Sequence, residues 1–118
     1  MTAKEGTAPG HGNGRLRIEL ESRSPAEATL RLTGELDLVT APLLRDELAR
    51  HRARGVRVVL DLSALTFLDS TGLVLLMETA REGAQDGWSV ALRRDVSPPV
   101  ARLLEVTKTG PLFAWVDG

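Results

Sequence analysis

The chain has 118 residues, a formal net charge of −1, no cysteine and a hydrophobic fraction of 42%. This balance indicates one soluble globular domain, and the absence of cysteine excludes disulfides, thiolate metal sites and cysteine nucleophiles. The two histidines, His11 and His51, are too few for a histidine metal cluster, and a Ser-His-Asp triad is not expected. The near-zero charge offers no bulk attraction to nucleic acid, and no apolar run approaches the roughly 20 residues that span a membrane.

The beginning of the chain differs in character from the rest. Residues 1–14, "MTAKEGTAPGHGNG", are small, polar and glycine-rich, which predicts a disordered leader before a single domain over residues 15–118. They also lack the apolar stretch of a secretory signal, so a cytoplasmic location is expected. From Arg15 onward, "RLRIELES" and "ATLRLTGELDL" alternate apolar and polar residues with the period of a half-buried strand. A short turn joins these runs, and together they predict an antiparallel hairpin.

Two helices are predicted in the middle of the chain. Thr40 is the expected N-cap of the first, "APLLRDELARHRAR", which Gly55 would end. The second is expected from about Ser70 to Ala84, because apolar residues recur there at the spacing of one buried helical face. That face is formed by Leu73, Leu76, Met77 and Ala80.

A third helix, "SPPVARLLEVTKTG", has Ser97 as its expected cap and Gly110 after its end. Strands are predicted at "VRVVLDL", "WSVALRR" and "PLFAWV", and consecutive apolar residues place the first of them in the centre of a sheet. The resulting order is β-β-α-β-α-β-α-β. It predicts an α/β fold with three helices and a mixed sheet of about five strands, antiparallel in the first hairpin and parallel afterwards.

One stretch, "FLDSTGL", interrupts this pattern with polar residues directly after a buried strand. Either Asp69 or Ser70 is expected to cap the following helix. The same position exposes a hydroxyl where the positive end of the helix dipole tolerates an added phosphate. A phosphate would bring about −1.5 to −2 units of charge at pH 7, so the site is suited to a switch.

Three segments together resemble a known family. "LTGELDLVTAPLL", "VVLDLSALTFLDSTGL" and "VARLLEVTKTGPLF" stand in the order and spacing of the STAS domain, and the resemblance runs from about Arg15 to Val116. This family includes domains of sulfate transporters and bacterial anti-sigma factor antagonists, and the resemblance implies the STAS-type β-α superhelix. One departure is Val74, which stands where many antagonists have a glycine.

For function, the resemblance implies an anti-sigma factor antagonist, which is a binding protein and not an enzyme. Ser70 matches the serine that an anti-sigma factor, itself an ATP-dependent serine kinase, phosphorylates; Thr71 is the alternative acceptor. The unphosphorylated protein would bind the anti-sigma factor, the phosphorylated form would release it, and a serine phosphatase would reset the switch. The implied partner-binding residues are Asp37, Asp69, Ser70, Thr71, Gly72 and Val74, of which Val74 is expected to face outward. No metal, cofactor or membrane insertion is expected.

Other functions remain open at this point. A STAS domain could serve without phosphorylation as a scaffold or as an accessory subunit of a transport system. An enzyme with Ser70 as nucleophile would need Lys4 or Lys108 as its base, and the chain has no G-x-S-x-G elbow. A G-x-x-x-x-G-K phosphate loop is also absent, so nucleotide binding is not predicted. The basic run "RHRARGVR" is interpreted as the solvated end of the first helix rather than a nucleic-acid contact.

Overall fold

The alternating segments near the N-terminus form the predicted antiparallel hairpin. In this computed structural model, which describes residues 11–12 and 15–117, a short strand β1 (His11–Gly12) pairs with β2 (Leu16–Arg23), and β2 pairs with β3 (Glu27–Leu36). Strand β1 lies within the segment predicted to be a disordered leader. The remaining residues of that segment, 1–10 and 13–14, lie outside the described part of the chain.

After the hairpin, helices and strands alternate in the predicted order. The elements are α1 (Ala41–Ala53), β4 (Arg57–Leu68), α2 (Ser70–Asp86), β5 (Val90–Arg93), α3 (Pro98–Thr107), a 3-10 turn (Gly110–Leu112) and β6 (Ala114–Val116). Strands β3 to β6 pair in parallel, and the sheet order is β1-β2-β3-β4-β5-β6. The mixed sheet with three helices is therefore confirmed, with the predicted strands extended by β1.

The core lies on one face of this sheet. Successive side chains of a strand point to opposite faces, and the register aligns Leu30 of β3, Leu60 of β4 and Leu92 of β5 in one buried row. The same cluster contains Leu44, Leu48, Leu73, Leu76, Val100 and Leu104 from the three helices. Among the described residues, no helix combines the length and apolar character needed to cross a membrane.

The opposite face of the sheet is polar. Arg93 contacts both Asp61 and Glu21 there, at 3.3 and 3.1 Å. Asp61 is 4% exposed; burial opposes its ionisation, but hydrogen bonds from the Ser63 hydroxyl and amide and the charge of Arg93 hold its pKa below the usual value. The Asp61–Ser63 contact lies where the pairing of β3 with β4 shifts register. Strand β4 is longer than the predicted "VRVVLDL" and continues beyond this shift to Leu68.

The third helix differs from its prediction at both ends. The hydroxyl of Ser97 does not cap α3 and is buried without a hydrogen-bond partner among the described residues. Pro99 stands at the second helical position and has no N–H, so one of the two amides that a cap normally receives is missing. The helix ends at Thr107, and Lys108, with φ of 58°, takes the left-handed position after it. Gly110 instead begins the 3-10 turn.

Candidate functional site

The candidate site lies where two parallel strands end side by side. Asp37 follows β3 and Asp69 follows β4, so the "GELD" and "DSTG" segments meet at the same edge of the sheet. Two hydrogen bonds join them. The Asp69 amide donates to the carbonyl of Leu36 at 3.3 Å, and the amide of Leu38 donates to Asp69 Oδ2 at 3.3 Å.

Asp69, and not Ser70, caps helix α2. Its extended backbone places Oδ1 2.9 Å from the amide of Gly72, which satisfies one of the unpaired donors of the first turn. Ser70 is the first residue of the helix and is exposed. Among the described residues, no hydrogen bond engages the Ser70 hydroxyl. The capping function and a free hydroxyl therefore belong to two adjacent residues.

Gly72 allows the first turn of α2 to lie against the ends of two strands. A Cβ atom at this position would lie 2.8 Å from the carbonyl oxygen of Leu36 and 2.7 Å from a methyl group of Leu68. Both distances are shorter than real Cβ contacts, so any larger residue would push the helix away from the sheet. This close approach at Gly72 fixes where Ser70 stands.

The loop between β3 and α1 is closed by Asp37 and Thr40, which bond to each other reciprocally. Asp37 Oδ1 accepts from the amides of Val39 and Thr40, each at 3.0 Å, while the Thr40 hydroxyl accepts from the Asp37 amide at 2.9 Å. As a donor, the Thr40 hydroxyl has two alternative acceptors: its Oγ1 lies 2.8 Å from the carbonyl oxygen of Glu35 and 3.1 Å from Asp37 Oδ1. Thr40 stands at the N-cap position of α1, and its carbonyl accepts from the amide of Leu43 at 2.9 Å. Its hydroxyl makes no bond to the amides of α1, so the predicted side-chain cap is not formed, because the preceding loop uses that hydroxyl.

Asp37 is 5% exposed, and its second oxygen contacts the guanidinium of Arg15. Burial opposes ionisation of Asp37, but the bonds from Thr40, the positive charge of Arg15 and the bond from Val39 together hold its pKa below the usual value. The carboxylate therefore shapes the loop from within. Direct contact of Asp37 with a partner remains a prediction.

Several exposed apolar side chains lie on the segments near the start of α2. Val74, one turn along α2, is 47% exposed, which confirms that it faces outward. In the β3–α1 loop, Leu38 and Val39 are 71% and 58% exposed. Leu112, from the 3-10 turn, lies with Val74 along a groove of about 440 Å³ beside α2. Thr71, by contrast, is partly buried.

Sequence reasoning missed Arg15, Leu38 and Val39 as site residues. Two consecutive large apolar residues directly after "GELD", where the chain leaves a strand, were the available signal. Arg15 gave none, because its contacts come from residues 35 and 37, on a different strand and its loop. Within the described ranges, no group of three or more His, Asp or Glu side chains could hold a metal ion.

Known proteins resemble this chain in sequence and in fold. Residues 19–112 match the protein-family model described as "Mlab, STAS domain". An anti-sigma F factor antagonist of Paenibacillus polymyxa is 36% identical over 94 residues, covering 78% of this chain and 79% of the relative. The anti-sigma-B factor antagonist of Bacillus subtilis is 30% identical over 76 residues, covering 64% and 69%.

Among solved structures, an anti-sigma factor antagonist from Mycobacterium paratuberculosis superposes with a TM-score of 0.71 at 28% identity, covering 91% of this chain and 90% of that one. The unphosphorylated form of SpoIIAA gives a TM-score of 0.69 at 24% identity, covering 86% and 87%, and so shares the fold. The relatives with these names are binding proteins rather than enzymes. The chain belongs to the STAS domain family, and its curated relatives are anti-sigma factor antagonists.

Proposed function

We propose that this chain is an anti-sigma factor antagonist that binds a serine-kinase anti-sigma factor when unphosphorylated and releases it once Ser70 carries a phosphate. One observation carries the proposal: Asp69 caps α2, so the adjacent hydroxyl of Ser70 is exposed and not engaged in the fold. A kinase can reach such a hydroxyl without unfolding the helix. In this proposal the partner supplies the ATP, the magnesium and the base, and a serine phosphatase resets the switch.

The surroundings of Ser70 support partner binding. Leu38, Val39 and Val74 are exposed on the two segments that Asp69 joins beside the serine, and exposed apolar side chains next to polar groups are typical of protein contacts. A partner that covers these side chains would enclose Ser70 at the centre of the contact. Asp69, Thr71 and Gly72 then border the enclosed hydroxyl through the first turn of α2.

The effect of a phosphate follows from its charge. It would add about −1.5 to −2 units at pH 7 beside the carboxylate of Asp69. A contact that buries this charge without a matching cation loses free energy through desolvation and repulsion. Release is therefore the expected outcome of phosphorylation. SpoIIAA, which shares this fold, has been solved in both an unphosphorylated and a phosphorylated form.

The proposal is tested by incubating the chain with a purified anti-sigma factor kinase and ATP and mapping the phosphate by mass spectrometry. Phosphate is expected on Ser70 and not on Thr71. Ser70→Ala should bind the anti-sigma factor whether or not ATP is present, whereas Ser70→Asp should bind weakly. Thr71→Ala is the control and should still be phosphorylated and released. Equal affinities for Ser70→Ala and Ser70→Asp would contradict the switch.

Through the anti-sigma factor, the protein would regulate sigma-dependent transcription in the cytoplasm, without touching nucleic acid or inserting into a membrane. A second candidate is a non-switching scaffold or an accessory subunit of a transport system, because the matching family model covers the STAS domain as such and does not specify antagonists. Genomic neighbours separate the two: genes for sigma and anti-sigma factors favour the antagonist, and genes for transporter components favour the scaffold.

A further inference from the structure

Arg15 is attached to the "GELD" segment by both its backbone and its side chain. Its carbonyl accepts from the amide of Glu35 at 2.7 Å. The preceding Gly34 has φ of 109°, and a Cβ there would lie 2.1 Å from the same carbonyl, so only glycine allows this approach. The guanidinium then reaches Glu35 Oε1 at 2.9 Å and also contacts Asp37 Oδ2.

The two oxygens of Asp37 have different partners. Oδ2 contacts Arg15, while Oδ1 accepts from the amides of Val39 and Thr40. Because the carboxylate is nearly fully buried, losing the guanidinium would leave a charged oxygen without a partner away from water. Such a group is costly, and the carboxylate would relieve the cost by turning toward solvent, which breaks its bonds to the loop amides.

The loop held in this way presents apolar side chains next to the phosphoacceptor. Leu38 and Val39 project from it into solvent. The amide of Leu38 also reaches Asp69, the cap of the helix that begins at Ser70. A continuous path of contacts therefore runs from Arg15 through Asp37 and the loop to the first turn of α2.

We propose that Arg15 is a positioning residue for the partner-binding surface: through Asp37 it fixes the loop that presents Leu38 and Val39 beside Ser70. The inference rests on the proposed function, because the surface matters only if a partner covers it. The effect of Arg15 on the conformation of the loop can be measured without a partner. Arg15 acts through the carboxylate of Asp37, so its removal should affect the amides of Val39 and Thr40, which donate to that carboxylate.

The first measurement is amide hydrogen exchange by NMR on the full chain. Arg15→Gln should accelerate exchange at Val39 and Thr40 about tenfold, since a hydrogen-bonded charge typically contributes that much. Exchange at Leu60, in the centre of the sheet, should not change, because it reports global opening. Arg17→Gln is the matched control: Arg17 lies two residues away, is 67% exposed and pairs with Glu19 at 3.5 Å.

The second measurement is the affinity for the anti-sigma factor that phosphorylates Ser70. Arg15→Gln should weaken binding about tenfold, and Arg17→Gln should leave it unchanged. Arg15→Lys should recover part of the loss, since a lysine keeps the charge but not the two-pronged geometry. The loss that remains in Arg15→Lys, which keeps the net charge, and the absence of an effect in Arg17→Gln together exclude a general effect of net charge.

Three results would overturn the inference: unchanged exchange at Val39 and Thr40 in Arg15→Gln, equal acceleration at Leu60, or a loosened loop with wild-type affinity. The first two results would show that Arg15 does not position the loop. The third would show that the loop is not part of the partner-binding surface. Failure of the proposed function is distinct, because it would be seen as equal binding of Ser70→Ala and Ser70→Asp. If no anti-sigma factor binds the wild type, the proposed function fails, and so does the claim that Arg15 supports partner binding. Hydrogen exchange would still test whether Arg15 positions the loop.

Discussion

The segments that lead into helices α1 and α2 are built from the same parts and use them differently. Each follows a parallel strand, each has an aspartate whose carboxylate accepts backbone amides, and each has a nearby hydroxyl. Before α1, Thr40 is fully buried and bonded to both Asp37 and Glu35. At α2, the Asp69 carboxylate accepts the amide of Gly72 without the help of a hydroxyl, and Ser70 stands exposed beside it.

The Thr40 hydroxyl thus stabilises the fold, whereas the Ser70 hydroxyl is available for modification. A hydroxyl that is hydrogen-bonded to backbone groups of a loop, as in Thr40, cannot be modified without disrupting the loop. A hydroxyl placed one residue after the capping aspartate is positioned by the helix but not required by it. The separation of cap and hydroxyl at Asp69 and Ser70 is therefore the feature that makes this helix start suitable for a reversible modification.

Thr40→Val should cause the largest loss of stability among these substitutions. It keeps the shape of the side chain but leaves the buried amide of Asp37 without its acceptor, which typically costs about 1–3 kcal/mol. The free energy of unfolding, from urea titration, measures the loss. Thr40→Ser keeps the hydroxyl and should recover most of it. A Thr40→Val protein as stable as the wild type would contradict the role assigned to this hydroxyl.

Asp69→Ala should cost about 1 kcal/mol, the usual contribution of a helix cap. The substitution also removes the acceptor for the Leu38 amide, so exchange at Leu38 should rise along with exchange at Gly72. NMR exchange and urea titration of the same protein test both effects. Asp69→Asn is the control: it retains an acceptor oxygen, so its free energy of unfolding and its exchange rates should be nearer to those of the wild type. Unchanged exchange at Leu38 would show that the two segments are not joined through Asp69.

Asp37 should make stability sensitive to acid. Because its pKa is lowered in the folded state, the unfolded chain takes up the proton first as pH falls. The stabilisation is thus present above the ordinary aspartate pKa, about 3.9, and is lost as pH falls through the lowered folded value. Asp37→Asn should be less stable than wild type at neutral pH, with the gap closing in acid. Urea titrations across this range test it, and a constant gap would contradict it.

Ser70→Ala should have the smallest effect on stability, within about 0.5 kcal/mol of the wild type, because the side chain is exposed and not bonded. It removes the same group as Thr40→Val, at the other helix start. Thermal unfolding of the two variants side by side is the measurement. A loss at Ser70 as large as that at Thr40 would show that the hydroxyl is part of the fold, and the contrast between the two sites would fail.

Sequence patterns predicted the order of elements and the place of Ser70, since alternation, helical spacing and the "DSTG" start are local signals. They did not predict the hydrogen-bond partners of individual side chains, because these depend on the tertiary structure. Thr40 and Ser97 both stand at the positions of caps, yet one bonds backward to its loop and the other has no hydrogen-bond partner. The role of Arg15 depends on the register of the predicted β2–β3 hairpin, which pairs Leu16 with Gly34 and which the alternation does not specify.

The strand order has a consequence for how the protein is made. Every strand lies beside the strand that precedes it in the chain, so a growing polypeptide can add each one to an edge that already exists. Pairing between neighbours in sequence keeps loop closure inexpensive and favours rapid folding. Asp37, Asp69 and Ser70 lie around β3, β4 and the start of α2. The surroundings of the phosphoacceptor can therefore begin to assemble on the ribosome while the C-terminal third of the chain is still being synthesised.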